Sequence, residues 1–255
     1  MKQILFFLPV FFLLFFSCVD DDNPAQPIDE AFDYVPLTEG SWYEYALDSV
    51  IYNDFDNTVV TRQYDLRVEI GDSFQQNGET VTRMLRYLKP RGSAQEFELE
   101  TVWFGLIKNN RFETFEENLH FIKFLFPPIE GTTWDGNTFI QGEGNDNPTT
   151  STLYLEGWEY EVISANQPET IQGETFSNVT KVMQVDQPGG AGAIQHLVAE
   201  EWYARDVGLI KKRMELVVEN CGAPGCSEKE LPVLDRTNLR KGYTLNLEIV
   251  DYQIQ

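Results

Sequence analysis

A short motif that occurs twice constrains the fold of this chain more than any other feature. Residues 103–108 read W-F-G-L-I-K, and residues 202–211 read W-Y-A-R-D-V-G-L-I-K. Two further pairs recur in the same order, namely P-L-T-E-G-S-W at 36–42 with P-I-E-G-T-T-W at 128–134, and G-E-T at 78–80 with G-E-T at 173–175. The spacing between matched motifs grows slowly along the chain and never reverses. This pattern is typical of a tandem duplication with small loop insertions.

Alternation of apolar and polar residues predicts antiparallel strands in both copies. Residues 64–70 alternate in this way, as do residues 243–249 near the end of the chain. Asn77-Gly78 predicts a two-residue hairpin turn, because both residues tolerate positive φ. Gly105 and Gly208 are each expected in a tight turn between paired strands. Residues 119–126 could form a strand or a short buried helix, since periodicity does not separate the two over so short a run.

The fold class predicted from these patterns is all-β and mainly antiparallel. About five strands per repeat, and at least one more at the end, would leave long edges in an open sheet. We therefore expect a curved sheet, a half-open barrel or clam, built from two tandem repeats. The first repeat is predicted at 33–126. The second, at 127–255, includes the final strand and forms one compact domain with the first.

The N-terminal segment indicates export. Residues 1–17 contain Lys2 and then a nearly continuous apolar run, which suits a signal peptide and is too short to span a membrane. The run ends in L-F-F-S-C, which resembles the lipobox of bacterial lipoproteins and implies lipidation of Cys18. Residues 18–32 form an acidic tether whose D-D-D run resembles the surface-export signal of Bacteroidota-type lipoproteins. The alternatives are an ordinary secreted protein with an incidental cysteine, and a tether that encodes no address.

Cysteine usage and charge narrow the remaining chemistry. With Cys18 lipidated, Cys221 and Cys226 are left in an oxidising compartment, where a disulfide is expected; a redox pair is the competing interpretation. A net charge of −22 and a pI near 4.3 disfavour nucleic acid as a partner. No phosphate-binding, nucleophile or metal-ligand motif occurs, and His120 and His196 are isolated in the sequence. We therefore predict no cofactor, no metal site and no catalytic residue.

The P-L-x-x-G-x-W opening together with W-Y-A-x-x-V-G-L-I-K resembles a group of uncharacterised bacterial outer-membrane lipoproteins. The resemblance implies a β-clam similar in shape to Lol-type lipoprotein carriers. It implies an outer-membrane location, with attachment through the lipid and exposure at the cell surface as one option. No catalytic residues are established for the group, so the resemblance transfers none. The Cys221–Cys226 loop and the long acidic tips depart from its pattern.

These observations lead to three hypotheses about function. The first is a non-enzymatic module that binds an apolar or amphipathic ligand, or a partner protein, on its concave face. The aromatic residues expected to face that ligand are Tyr43, Tyr45, Tyr64, Trp158 and Tyr160. The second hypothesis is an accessory structural subunit of an outer-membrane complex. The third is a polysaccharide hydrolase, which requires two inward carboxylates across a cleft.

Overall fold

The computed structural model describes residues 29–53, 55–140, 155, 157–190, 193–219 and 239–255. Cys18, Cys221 and Cys226 therefore lie outside the described residues. A short 3-10 helix, Phe32–Tyr34, precedes twelve strands. The strands are β1 (Trp42–Asn53), β2 (Thr58–Gln76), β3 (Glu79–Pro90), β4 (Glu98–Lys108), β5 (Arg111–Glu116), β6 (Leu119–Leu125), β7 (Thr133–Asp135), β8 (Glu159–Ile171), β9 (Glu174–Gly190), β10 (Ala193–Ala204), β11 (Gly208–Glu219) and β12 (Leu239–Gln253).

All twelve strands belong to one antiparallel sheet that curls into a nearly closed barrel. Their order is β6-β5-β4-β3-β2-β1-β12-β11-β10-β9-β8-β7. The prediction of an all-β, antiparallel, curved sheet is therefore confirmed. Each half of the chain supplies six consecutive strands, and the pair β1–β12 joins the halves. The boundary predicted between residues 126 and 127 falls in the connection from β6 to β7; the duplication itself stays a prediction.

Two-residue turns with positive φ connect four of the hairpins. Asn77-Gly78 has φ of 53° and 84°, as its sequence predicts for a type I′ turn. Gln172-Gly173 has φ of 49° and 89°, and Asn109-Asn110 has φ of 49° and 57°. Glu117-Asn118 follows the same pattern with φ of 48° and 69°. These turns match the twist of the flanking strands, so neighbouring strands stay paired up to the turn.

The prediction that Gly105 forms a turn is wrong. Gly105 lies inside β4, opposite Thr82 and Thr114, and the turn that follows is Asn109-Asn110. A side chain at Gly105 would lie 3.0 Å from the ring of Phe112 and 3.1 Å from the sulfur of Met84. Close packing, rather than chain reversal, therefore favours glycine there. Gly208, in contrast, starts β11 directly after a turn and has φ of 106°.

The two edge strands of the sheet, β6 and β7, approach each other. Residues 119–126, which the sequence left open between helix and strand, form β6. The amide of Ile122 in β6 donates to the carbonyl of Gly136 just after β7, at 2.8 Å. The indole N–H of Trp134 in β7 donates to the Ile122 carbonyl at 2.9 Å. These bonds hold the edges together at one point, so the curved sheet encloses its inner face.

The N-terminal segment packs against the folded body. Tyr34 is fully buried. Arg205, in the turn after β10, binds the carboxylates of Asp33 and Asp29, the former at 2.7 Å. Of the predicted tether 18–32, the part from residue 29 onward is described, and Asp29 contacts the body through this ion pair. The segment brings Val35 and its neighbours to the inner face of the sheet.

Candidate functional site

The inner face of the curved sheet surrounds a cavity of about 370 Å³. Within the described ranges, every strand except β7 contributes at least one side chain to its wall. Most of these side chains are aromatic or aliphatic, including Leu47, Ile70, Phe112 and Leu247. A cavity of this size with apolar walls and a few polar groups is typical of small-molecule binding sites.

Four of the five residues predicted to face a ligand line this cavity. Tyr43 and Tyr45 on β1, Tyr160 on β8 and Trp158 just before β8 are all in the wall. Tyr64 is not in the wall. It lies near the start of β2 and pairs with Pro90 at the end of β3. Alternation predicts the face that a strand residue occupies, but it does not show how far along the strand the cavity extends.

The three tyrosines present ring surface to the cavity while their hydroxyl groups are occupied. Burial raises the pKa of each phenol, so all three are neutral at physiological pH. The Tyr43 hydroxyl donates to the Pro36 carbonyl at 3.2 Å, and the Tyr45 hydroxyl donates to the Leu209 carbonyl at 2.8 Å. The Tyr160 hydroxyl donates to Asn137 Oδ1 at 3.0 Å. The rings are therefore fixed parts of the wall.

A charged cluster interrupts the apolar wall. The Lys123 Nζ lies 3.4 Å from a Glu116 carboxylate oxygen and 3.1 Å from Glu201 Oε1. The Lys212 Nζ lies 2.9 Å from the same Glu201 oxygen, and the Tyr203 hydroxyl donates to Glu201 Oε2 at 2.6 Å. Lys123 and Glu201 are almost fully buried. Each buried charge in this pair therefore has an opposite charge in direct contact, as its burial requires.

The pKa values of this cluster favour the charged forms of both partners. Burial acts to raise the pKa of Glu201, but the ammonium groups of Lys123 and Lys212 outweigh it and hold the pKa well below its usual range. Burial acts to lower the pKa of Lys123, but the carboxylates of Glu116 and Glu201 outweigh it, so the pKa is raised. The ion pair thus stays charged through the physiological range.

Arg86 adds a third cation to the wall. Its guanidinium carbon lies 3.6 Å from the centre of the Trp103 ring, which is a cation–π contact. Burial lowers the pKa of Arg86, and the carboxylate of Glu116 acts in the opposite direction. Among the described residues of the wall, the three cations face three carboxylates, which are Glu116, Glu117 and Glu201. The formal charge of the wall is therefore balanced without a ligand.

The sequence patterns do not predict the charged cluster, although one signal is present. Lys123 is the only formally charged residue in the apolar run H-F-I-K-F-L-F at 120–126. A charge inside an otherwise apolar strand indicates a buried partner, since an unpaired buried ammonium is strongly unfavourable. No comparable signal marks Glu201. Glu200 and Trp202 beside it are also buried, so β10 shows no alternation that would identify its inner face.

Glu201 does not have the raised pKa that the general acid of a glycoside hydrolase needs. Glu116 and Glu201 both contact the same ammonium, that of Lys123. A general acid requires a carboxyl group whose pKa is raised, whereas the pKa of Glu201 is lowered. The mostly apolar wall also offers few partners for sugar hydroxyl groups. Glu201 therefore does not fit the role of general acid, and the hydrolase hypothesis stays a prediction.

The His120 side chain is held by two stacked aromatic rings and one carboxylate. The ring of His120 lies between those of Phe115 and Phe139, with centroids 4.1 Å and 4.0 Å away, and its Nε2 lies 2.7 Å from Glu113 Oε2.

Within the parts of the chain that are described, no group of three or more His, Cys, Asp or Glu side chains is placed to hold a metal ion. None of the helical residues described there forms a helix long and apolar enough to cross a membrane.

Comparisons with known proteins find similarity only at the level of solved structures. No protein-family model matches the chain, and no curated protein matches it in sequence. A candidate lipoprotein from Parabacteroides distasonis ATCC 8503 has a TM-score of 0.41 at 10% identity, covering 86% of this chain and 98% of that chain. A candidate exported protein with a YmcC-like fold, from Bacteroides fragilis NCTC 9343, has a TM-score of 0.40 at 8% identity, with coverages of 86% and 98%. A LolA superfamily protein from Nitrosomonas europaea has a TM-score of 0.18 at 10% identity, with coverages of 89% and 91%. Scores this low do not establish a shared fold, so the site is interpreted from its own residues.

Proposed function

We propose that this protein is a lipid-anchored envelope protein that binds an apolar or amphipathic molecule inside its curved sheet, without acting on it chemically. The observation that carries the proposal is the cavity of about 370 Å³ with mostly apolar walls. Apolar side chains that line a cavity make fewer packing contacts than side chains in a filled core. A ligand that fills the cavity restores those contacts.

The construction of the wall supports a binding role. Tyr43, Tyr45 and Tyr160 each use their hydroxyl group in a hydrogen bond within the protein, so they offer rigid aromatic surface. The buried charges of Lys123 and Glu201 are paired with each other and do not need a counter-ion from outside. A rigid apolar wall binds an apolar ligand with little loss of side-chain entropy.

Titration with the neutral fluorescent probe N-phenyl-1-naphthylamine tests the proposal. The wild-type protein should bind the probe saturably, with one probe molecule per chain. Leu245→Trp should weaken binding at least about fivefold, because the larger side chain on β12 occupies part of the cavity. Val59→Trp is the matched control. Val59 is 60% exposed and lies outside the cavity wall, so this variant should bind the probe like the wild type.

Two results would contradict the ligand-binding proposal. One is the absence of saturable binding by the wild-type protein. The other is equal weakening by Leu245→Trp and Val59→Trp, which would place the probe on the outer surface. If wild-type binding is absent and a specific protein partner is recovered by cross-linking in intact cells, the accessory-subunit hypothesis replaces this one.

The proposed anchor is Cys18, and its support comes from the sequence alone. Metabolic labelling with an alkyne-bearing palmitate should mark the wild-type protein, while Cys18→Ala should remain unlabelled and leave the membrane fraction. Protease treatment of intact cells then separates an outward-facing anchor at the outer membrane from a periplasmic one. Labelling that persists in Cys18→Ala would contradict the anchor and leave the cavity proposal untouched.

A further inference from the structure

Two side chains of the cavity wall each carry a buried N–H group that has no hydrogen-bond acceptor among the described residues. The two groups are the indole Nε1 of Trp158 and the amide Nε2 of Gln184. Both side chains line the cavity, and both are almost fully buried, at 3% and 1% exposure. A buried donor without a partner costs on the order of 1–3 kcal/mol. Two such donors in one cavity wall therefore suggest a partner that is supplied from outside the chain.

The two donors lie at the same end of the β8–β9 pair. Glu161 on β8 pairs with Met183 on β9. Continuing this register toward the start of β8 places Tyr160 opposite Gln184. Trp158 lies two residues before Tyr160. Tyr160 also lines the wall, and its hydroxyl already donates to Asn137. The unused hydrogen-bonding capacity of this region therefore consists of donors.

The charges of the wall make a charged ligand group a poor match. Lys123 and Lys212 are both bound to Glu201, and Lys123 also contacts Glu116. A carboxylate or phosphate bound to Lys123 or Lys212 would have to displace one of these glutamates, leaving it buried and unpaired. An anion bound at Arg86 would give the wall, in which three cations face three carboxylates, a net negative charge. The chemistry that remains open is a hydrogen-bond acceptor without formal charge.

We infer that the ligand carries a neutral acceptor, an ester or amide carbonyl within an otherwise apolar molecule, and that Trp158 and Gln184 bind its oxygen. This inference rests on the proposed function, because it assigns the ligand to the same cavity. It adds the chemical class of the ligand's polar group and two specificity-determining residues. A plain hydrocarbon would leave both N–H groups unpaired and would bind less well.

Displacement of N-phenyl-1-naphthylamine from the full chain tests the inference, using methyl decanoate, undecane and the decanoate anion as competitors. For each protein we take the ratio of the displacement constants of the ester and the alkane. Dividing the wild-type ratio by the variant ratio cancels the difference in hydrophobicity between the two competitors. Trp158→Phe and Gln184→Leu should each reduce the preference for the ester about fivefold, the effect of one net hydrogen bond.

Matched controls carry the same substitutions outside the cavity wall. They are Trp42→Phe on β1 and Gln75→Leu on β2, neither of which lines the cavity. Both should keep the wild-type ester preference. The thermal midpoint of ligand-free Gln184→Leu should equal or exceed that of the wild type, because the variant removes an unpaired donor and keeps a side chain of similar size. This measurement separates a binding effect from misfolding.

Each outcome has a defined meaning. An ester preference that is unchanged in both cavity variants overturns the inference, as does stronger displacement by decanoate than by methyl decanoate. In those cases the probe still binds and the proposed function stands. If the wild-type chain does not bind the probe at all, the proposed function fails and the inference fails with it.

Discussion

At the scale of single residues, Lys123 is the group whose removal the cavity wall should tolerate least. Its ammonium is almost fully buried between the carboxylates of Glu116 and Glu201. Lys123→Met keeps the length of the side chain but leaves buried negative charge with less compensation. Removing one partner of a buried ion pair costs about 3 kcal/mol or more. We expect a loss of that order in the free energy of unfolding, measured by urea denaturation.

The control for this prediction is an exposed ion pair in the same sheet. Lys108 Nζ lies 2.8 Å from Glu79, and both side chains are about one-third exposed. Lys108→Met should change the free energy of unfolding by less than about 1 kcal/mol, because water screens and solvates exposed pairs. Similar losses in the two variants would mean that the buried ion pair of Lys123 contributes no more to the free energy of unfolding than an exposed pair does.

Glu201 gives the protein a specific sensitivity to acid. Its pKa lies well below the usual value of 4.5, chiefly because the neighbouring ammonium groups outweigh burial. The unfolded chain therefore takes up the proton at a higher pH than the folded protein does. The contribution to stability is complete above the ordinary glutamate pKa and is lost progressively as the pH falls through the folded value.

Glu201→Gln should therefore flatten the acid limb of the stability curve. We expect the variant to be less stable than the wild type at pH 7 and to lose less stability between pH 5 and pH 3. Urea denaturation at each pH measures the difference. A Glu69→Gln variant, which changes an outer-face carboxylate bound by Arg67, controls for the general effect of removing one charge. Parallel acid limbs in the wild type and Glu201→Gln would refute the assignment.

At the scale of elements, the short β7 strand depends on a close approach that only glycine permits. A side chain at Gly136, just after β7, would lie 2.5 Å from two atoms of the Tyr160 ring. The ring is fully buried and cannot move aside. Gly136→Ala should lower the free energy of unfolding by about 2–3 kcal/mol. It should also weaken probe binding, because the added methyl group displaces the Tyr160 ring, which is part of the cavity wall.

The matched control for Gly136 is Gly71 in β2. An alanine there would meet the Cδ1 of Leu85 at 2.7 Å, which is the far end of a flexible side chain. Gly71→Ala should therefore cost less than Gly136→Ala, because Leu85 can change rotamer. Thermal unfolding of both variants provides the comparison. Equal losses would show that the rigidity of Tyr160 does not matter.

The elements also show what the sequence can and cannot predict. Alternation and turn chemistry predict the strands, the hairpin at Asn77-Gly78 and the inward position of Tyr43 and Tyr45, because these depend on neighbouring residues. The position of Gly105 inside β4 depends on contacts with Met84 and Phe112 from other strands. Such contacts are set by the curvature of the whole sheet, which no local pattern records.

In the cavity wall, too, local patterns predict some residues, and tertiary contacts determine the others. Trp158 and Tyr160 were predicted as ligand-facing residues because they are aromatic and alternate along a strand. No alternation identifies Glu201, because Glu200 and Trp202 beside it are also buried, and no sequence pattern marks Gln184 as an inward residue. Their importance arises from tertiary partners, or from the absence of one. Only the assembled sheet brings Glu201 from β10 to Lys123 from β6.

At the scale of the whole molecule, the order of the strands makes a prediction about folding. Eleven neighbouring pairs make up the sheet, and ten of them join strands that are consecutive in the chain. The exception is β1–β12, in which Trp42 pairs with Gln253. Pairing residues so far apart requires closure of a very long loop, which slows folding.

A circular permutant removes this exception. New termini between Ile129 and Glu130 lie in the exposed connection from β6 to β7 and interrupt no strand. The old end is near the start of β1, because the amide of Gln255 donates to the Ser41 hydroxyl at 3.1 Å. A Gly/Ser linker of about 12 residues joins Gln255 to Asp29. In the permuted chain, every strand from β7 through β12 and then β1 through β6 pairs with the next.

The permutant should fold to the same sheet and refold several-fold faster than the wild type, because its contact order is lower. Stopped-flow refolding from urea, followed by tryptophan fluorescence, measures the rates. A second permutant with the same linker and new termini between Asn77 and Gly78 breaks a local hairpin, so it should refold more slowly than the first. If the first permutant is no faster than the wild type, closure of β1 on β12 is not the slow step, and the β6–β7 edge contact between Ile122 and Gly136 becomes the next candidate for that step.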